Sequence, residues 1–231
     1  LSVKGIYFLY QTRGLKYSDN YLYNSDKIPS KDLFLLGGYL PADIDIFSLK
    51  ADYKQPLKKE TVLEAGFKTS YVKTDNDAQY TFFEDDKWVV DESRSNHFIY
   101  KENINAAYIN LQKQIKKVGV QLGLRAEQTI AEGNQVTKDI DFKKNYTRLF
   151  PTAYISYQAD DKNTFGISYG RRIERPGYQD LNPFQYQLDR YTYRQGNPNL
   201  QPQFSHNIEL SYNYKGQLNI SANYTTISDI I

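Results

Sequence analysis

The chain has 231 residues, a formal net charge of +2 and 40% apolar side chains, and 22 Tyr and 12 Phe make it rich in aromatics. A charge this close to balance gives no general argument for a nucleic-acid partner, and the absence of cysteine excludes a disulfide framework or a thiolate metal site. No run approaches the ~18 consecutive apolar residues of a membrane-spanning helix, so a helical membrane protein is excluded as well.

The first segment, Val3 to Gln11, is apolar enough for a strand but alternates weakly. From Phe47 the pattern sharpens. Phe47, Leu49, Ala51 and Tyr53 oppose Ser48, Lys50, Asp52 and Lys54, and Leu63, Ala65, Phe67 and Tyr71 oppose Glu64, Gly66, Lys68 and Ser70. Successive strand side chains point to opposite faces, so each segment has one greasy and one wet face. Between His97 and Ile115 the pattern falters. Ile104, Ala106 and Tyr108 share one face while Ile109 and Leu111 fall on the other, which predicts a bulge or register change. Alternation resumes at Val118–Ala126, at Phe165–Tyr169, at Phe204–Tyr214 and at Leu218–Tyr224. The wet faces of the last three are Ser, Asn, Thr, Gly, Gln and Glu.

The connections alternate in length. Lys58-Lys59, Lys116-Lys117, Asp160-Asp161-Lys162 and Lys215-Gly216 read as tight hairpin turns, whereas roughly 13–42, 74–97, 131–148 and 171–203 read as long polar loops. Runs of ten or more residues exceed the ~5–6 typical of a soluble sandwich and are long enough to cross a bilayer when tilted. The expected fold is therefore all-β: an antiparallel up-and-down transmembrane β-barrel, with short periplasmic turns and long extracellular loops. Some 8–10 strands, about nine by count, make it partial, because bacterial barrels close with even numbers. The start at Leu1 and the end inside a strand at Ile231 suggest that 1–231 is a piece of a longer barrel domain.

The segment after Gly170 runs Arg171-Arg172-Ile173-Glu174-Arg175-Pro176-Gly177-Tyr178-Gln179-Asp180-Leu181-Asn182-Pro183-Phe184, and later reaches Gly196-Asn197-Pro198-Asn199-Leu200-Gln201-Pro202. It resembles the barrel of TonB-dependent outer-membrane receptors, in particular the outer-membrane β-barrel family of Bacteroidetes-type bacteria. Phe150-Pro151-Thr152-Ala153-Tyr154 and the stretch Asp43–Tyr53 resemble that family too. The resemblance implies a location in the bacterial outer membrane, a larger wall of ~22 strands, an interior plug domain, a TonB-type energising complex as partner, and uptake of a bulky solute. No plug and no TonB-contacting segment is recognisable within these residues.

The motif has two readings. Pro176, Pro183, Pro198 and Pro202 stop strands and stiffen a loop, and Asn182 and Asn197 form turns, which describes a rigid loop folded at the barrel rim. Alternatively, Arg171, Arg172 and Arg175 meet anionic groups of a solute while Tyr178, Asn182, Phe184, Tyr186, Tyr191 and Tyr193 form an aromatic platform. The acidic residues between Asp75 and Glu92 lack the spacing and glycine of a calcium loop, so a solvated loop is expected there. No nucleophile elbow, zinc spacing or phosphate loop occurs, so neither an enzyme nor a cofactor is expected. Two other readings stay open: a soluble β-sandwich that binds carbohydrate through its tyrosines, and a passive porin-like barrel.

Overall fold

The computed structural model describes residues 1–21, 23, 34–188 and 192–229. Nine long strands form one continuous antiparallel sheet in chain order: β1 (Ser2–Asn20), β2 (Phe34–Leu57), β3 (Thr61–Glu84), β5 (Asn96–Ile115), β6 (Val118–Gln135), β7 (Ile140–Gln158), β8 (Asn163–Glu174), β11 (Gln203–Tyr214) and β12 (Leu218–Ser228). The short β4 (Lys87–Val90) folds back on β3, while β9 (Gln185–Gln187) and β10 (Tyr193–Gln195) make a separate two-stranded arm. β1 and β12 do not pair with each other, so the wall is an open arc of a barrel. One unbroken layer with every strand beside its sequence neighbour is incompatible with two sheets packed face to face.

The four tight turns fall at one end, as the sequence indicates. Lys59, Glu60, Lys116 and Lys215 take positive φ, and so does Gly216 at +69°. In the third turn, the Asp160 carboxylate accepts bonds from the Asn163 amide side chain and from the Lys162 and Asn163 N–H groups at 2.8–2.9 Å. Those bonds, the Asn163 side chain first, hold Asp160 below the usual carboxylate range.

At the other end the structure departs from expectation. Three of the stretches read as long loops, 13–42, 74–97 and 131–148, are for the most part strand in their described residues, whereas 171–203 is mostly loop: β2 and β3 each run 24 residues, about 80 Å at ~3.3 Å per residue. Even tilted they outrun a lipid-facing band of ~25 Å by more than twofold. Nor is there a bulge in β5, whose pairing with β3 and β6 keeps one register from end to end.

The apolar band is centred near Leu49 on β2 and near Ala222 on β12. Following the ladder sideways from Leu49 leads to Thr69, Asn105, Gln128 and Thr147, whereas Ala222 lies level with Leu210, Ile167 and Ile155. The band therefore slips toward the tight-turn end by roughly one residue per strand. With strands ~4.8 Å apart and ~3.3 Å per residue, that slip corresponds to a tilt near 40°, the value a closed barrel requires. Side chains on this face are about half exposed, as for Leu210 and Ile220 at 55% and 56%, because their solvent is lipid.

On the inward face several cross-strand contacts need glycine. A Cβ on Gly66 would lie 2.5 Å from the Tyr108 ring, whose hydroxyl reaches across to the Asp52 carboxylate at 2.5 Å. The buried residues gather in the upper inward face, in two clusters around Tyr80 and around Phe98.

Candidate functional site

The ladder between β7 and β8 stops at Thr152 and Gly170. Above it β8 parts from β7 and stays paired only with β11, and the described residues of 175–202 (all but 189–191) lie across the inward face of the wall as a strap. Arg171 fills the opening: its guanidinium sits 4.8 Å from the Phe204 ring centroid and 5.9 Å from that of Phe150, and donates to the Leu149 carbonyl at 3.2 Å. Phe204, placed on the lipid face by its alternation, is instead buried against Arg171 and Arg148. Next along β11, His206 reaches diagonally to Tyr169 and shares a 2.9 Å hydrogen bond with its hydroxyl.

Arg175 ties the strap to the wall. It donates to Glu127 Oε2 at 2.6 Å and to Thr129 Oγ1 at 3.1 Å, and Glu127 also receives Arg125 at 2.9 Å. A carboxylate 8% exposed holds its charge only with such partners. Pro176 then blocks further ladder pairing, and Gly177 starts the single helical turn α1 (Tyr178–Leu181), with its N–H capped by Asp180 Oδ2 at 3.1 Å. The turn drives Leu181 into Phe98, Tyr100 and Ala131. Asn182 accepts from the Phe184 N–H at 3.1 Å, an Asx turn that sends Phe184 onto Leu36, Ala78 and Tyr80.

The second half of the motif closes on the first. Gly196 N–H donates to the Asn182 carbonyl at 2.9 Å and Asn197 N–H to that of Asp180 at 2.6 Å. A Cβ on Gly196 would lie 2.5–2.7 Å from three carbonyl oxygens, those of Asn182, Asp180 and Gln179, so no other residue fits. Arg194 pairs with Asp180 at 2.7 Å. Asn197 then forms its own Asx turn with the Asn199 N–H at 2.9 Å. The two runs, a dozen residues apart in sequence, are thus the two sides of one closed loop.

Between the strap and the walls of β2 and β3 lies a cleft of about 370 Å³, lined by Leu40, Asn76 and Ala78 on the wall and by Tyr178, Asn182, Phe184, Tyr186, Leu188 and Arg194 on the strap. Lys16 closes one side, 5.2 Å over the Tyr186 ring and bonded to the Leu188 carbonyl at 3.0 Å. Of the sequence-derived candidates, Tyr178, Asn182, Phe184 and Tyr186 converge here. Arg175 is taken up in holding the strap, Arg171 fills the opening between β7 and β11, and Arg172 faces a different groove beside Gln121, Thr152 and Asn207. Tyr193 is half exposed on the β10 arm, and Tyr191 lies outside the described residues. Sequence reasoning missed Arg194 and the wall residues Leu40, Asn76 and Ala78. They fall in segments read as polar loop, where no alternation marks an inward face.

The acidic stretch after Asp75 is mostly strand. Asp75 pairs with His97 at 2.8 Å and Lys73 at 3.4 Å, and Asp91 organises the turn after β4 by accepting from Ser93 and Arg94. No cluster of three metal-ligating side chains occurs among the described residues. Trp88 stands on the outward face with Phe83 and Tyr17, at ring separations of 5.4 and 6.1 Å.

A tilted antiparallel arc with an apolar outer band, a polar inner wall and an inward strap defines a section of an outer-membrane barrel. The model of the outer membrane protein beta-barrel family matches residues 1–231, and the chain belongs to that family. Among solved structures it is similar to the copper transporter OprC (11% identity, TM-score 0.67, 99% of this chain and 36% of that one). It is also similar to the ferric-catecholate import receptor Fiu of Escherichia coli K12 (10%, 0.61, 97% and 38%) and to the RagAB peptide transporter (11%, 0.56, 97% and 28%). Identities this low speak for the fold alone, and the chain spans roughly a third of the length of those proteins. A search of curated proteins finds no significant match.

Proposed function

We propose that this wall section belongs to a TonB-dependent receptor that takes up a bulky solute actively, with a plug domain in its lumen and an energising complex as partners. One observation carries the reading: the strap is built to occupy the lumen side, with buried anchors in Leu181 and Phe184 and a cleft beside them. The solute would meet Tyr178, Asn182, Phe184 and Tyr186 first, with Tyr193 and Arg172 on the approaches, while Arg175 sets the strap's position and Arg171 fills the opening beside it. The solved neighbours are transporters and receptors for metals, metal chelates and peptides, so no enzymatic step is invoked.

The test is uptake by the full-length protein in outer membranes, with labelled ferric siderophore, cobalamin and peptide as probes, in cells with and without the inner-membrane energising complex. Accumulation of at least one probe should disappear when the complex is deleted. Uptake that persists at the same rate would identify a passive pore.

A further inference from the structure

Six lysines crowd the tight turns at the lower end of the wall: Lys58 and Lys59, Lys116 and Lys117, Lys162, and Lys215. Only three carboxylates, Glu60, Asp160 and Asp161, stand in the same turns, so their positive excess is larger than the +2 of the whole chain. All six are exposed, and among the described residues none forms an ion pair. By contrast Lys50, Lys54, Lys73 and Lys143, on the strand faces, each meet a carboxylate at 2.5–3.4 Å.

Turn geometry does not account for these lysines. Lys59, Lys116 and Lys215 hold φ of 59°, 53° and 53°, the left-handed region where a Cβ is strained and glycine or asparagine is the usual choice. Gly216, at 69°, shows the ordinary solution one residue further on. Lysine at three such positions points to a use for the charge.

Depth in the membrane fixes what that charge meets. From the band centre at Leu49, the nine residues to Lys58 descend about 23 Å at ~3.3 Å per residue and a tilt near 40°. On β11 the centre falls one residue short of Leu210, the rung partner of Ala222, and the six residues to Lys215 descend about 15 Å. A hydrocarbon core of ~30 Å lies within a bilayer of ~40–45 Å, so these depths are those of the headgroup layer. The aromatic residues agree. Tyr53, Tyr157 and Phe165 stand half exposed on the outward face just above the turns, as an interfacial girdle does, and Lys215 lies 5.2 Å over the Tyr214 ring.

We infer that the lysine turns form an arc that binds the acidic phospholipid headgroups of the periplasmic leaflet. An ammonium on a flexible stem meets a phosphate as a point charge, and each lysine near an anionic lipid surface adds its own attraction. The turns are spread along the rim, so the arc selects anionic lipid as a class. The attraction is electrostatic and weakens as salt shortens its range.

The test uses the full-length protein reconstituted into vesicles of equal parts phosphatidylcholine and phosphatidylglycerol, then extracted in mild detergent, with the retained lipids quantified by mass spectrometry. Wild type should retain phosphatidylglycerol over phosphatidylcholine at least fivefold at low salt, with the excess falling as salt rises. Lys59→Asn/Lys116→Asn/Lys215→Asn should cut that excess at least threefold and melt at or above the wild-type temperature, because asparagine suits the left-handed positions better. Lys59→Arg/Lys116→Arg/Lys215→Arg should keep the excess. A wild-type excess below twofold would overturn the inference, as would an asparagine variant that keeps the wild-type excess or an arginine variant that loses it. A lower melting temperature of the asparagine variant would assign the lysines to the turns themselves and overturn it as well. Lysine-dependent cosedimentation with purified peptidoglycan, without any lipid excess, would make the cell wall the partner, and the inference would fall.

Discussion

Arg175→Met should loosen the strap without unfolding the wall. Removing one partner of a buried ion pair typically costs about 3–5 kcal/mol, because the remaining charge is stranded. Here Glu127 keeps Arg125 at 2.9 Å, so the cost should fall toward ~2 kcal/mol, which corresponds to a roughly 30-fold rise in the population of the lifted strap. Residues 1–231 hold no cysteine, so Leu181→Cys, buried at 2%, adds one thiol to this section, and the same protein without that substitution supplies the labelling background. Its labelling rate by a water-soluble thiol reagent reports lifting directly. Arg175→Met in that background should accelerate labelling by about that factor, and adding Glu127→Gln should return most of it, since contacting partners couple. Unchanged labelling, or strictly additive effects of the two substitutions, would refute the clamp.

Other consequences follow from the same geometry. Gly196→Ala forces a methyl against three carbonyl oxygens and should cost the strap about 2–4 kcal/mol, read as faster proteolysis between 176 and 202 with the wall's unfolding unchanged. Leu210→Arg, on the outer band, should lower stability in membranes by about 2–4 kcal/mol, whereas Ser211→Arg on the inner wall should be milder; equal losses would mean that both faces are buried. At Asp91, burial raises the carboxyl but the bonds from Ser93 and Arg94 outweigh it, so the group sits below its usual range. A depressed carboxylate stabilises above its unfolded pKa of about 3.9 and loses that contribution as pH falls through the folded value. Asp91→Asn should therefore speed amide exchange at Ser93 and Arg94 near neutral pH, with the difference from wild type shrinking below the unfolded pKa and vanishing only once pH has fallen below the depressed folded value. A difference that persists at low pH would remove the charge from the explanation.

The membrane half of the wall was legible because its two faces meet opposite solvents. Val118, Val120, Leu122 and Leu124 on β6, or Phe165, Ile167 and Tyr169 on β8, alternate with residues bound for the lumen, and tight turns of Lys and Asp close the hairpins. The motif from Arg171 to Pro202 was legible as a rigid rim loop, since its prolines and asparagines state where ladders end. Its closure through Gly196 was not, because a close backbone approach leaves no mark beyond a single glycine.

The misreading of β5 contains the physics of the whole wall. The sequence loses its phase between His97 and Ile115, which suggested a bulge, yet the ladder is regular throughout. What changes is the surroundings. In the lower half, Ala107, Ile109 and Leu111 face lipid while Asn110 and Gln112 face the lumen. In the upper half the outward face meets water, so Lys101 and Asn103 point out, and the inward face meets the strap, so Phe98 and Tyr100 point in. The apolar face crosses from outside to inside along one unbroken strand. β3 makes the same crossing, from Leu63, Ala65 and Phe67 outside to Ala78 and Tyr80 inside. Each strand is thus a membrane protein at one end and a soluble protein at the other, and the inward core of the soluble end exists because the strap gives it something to pack against.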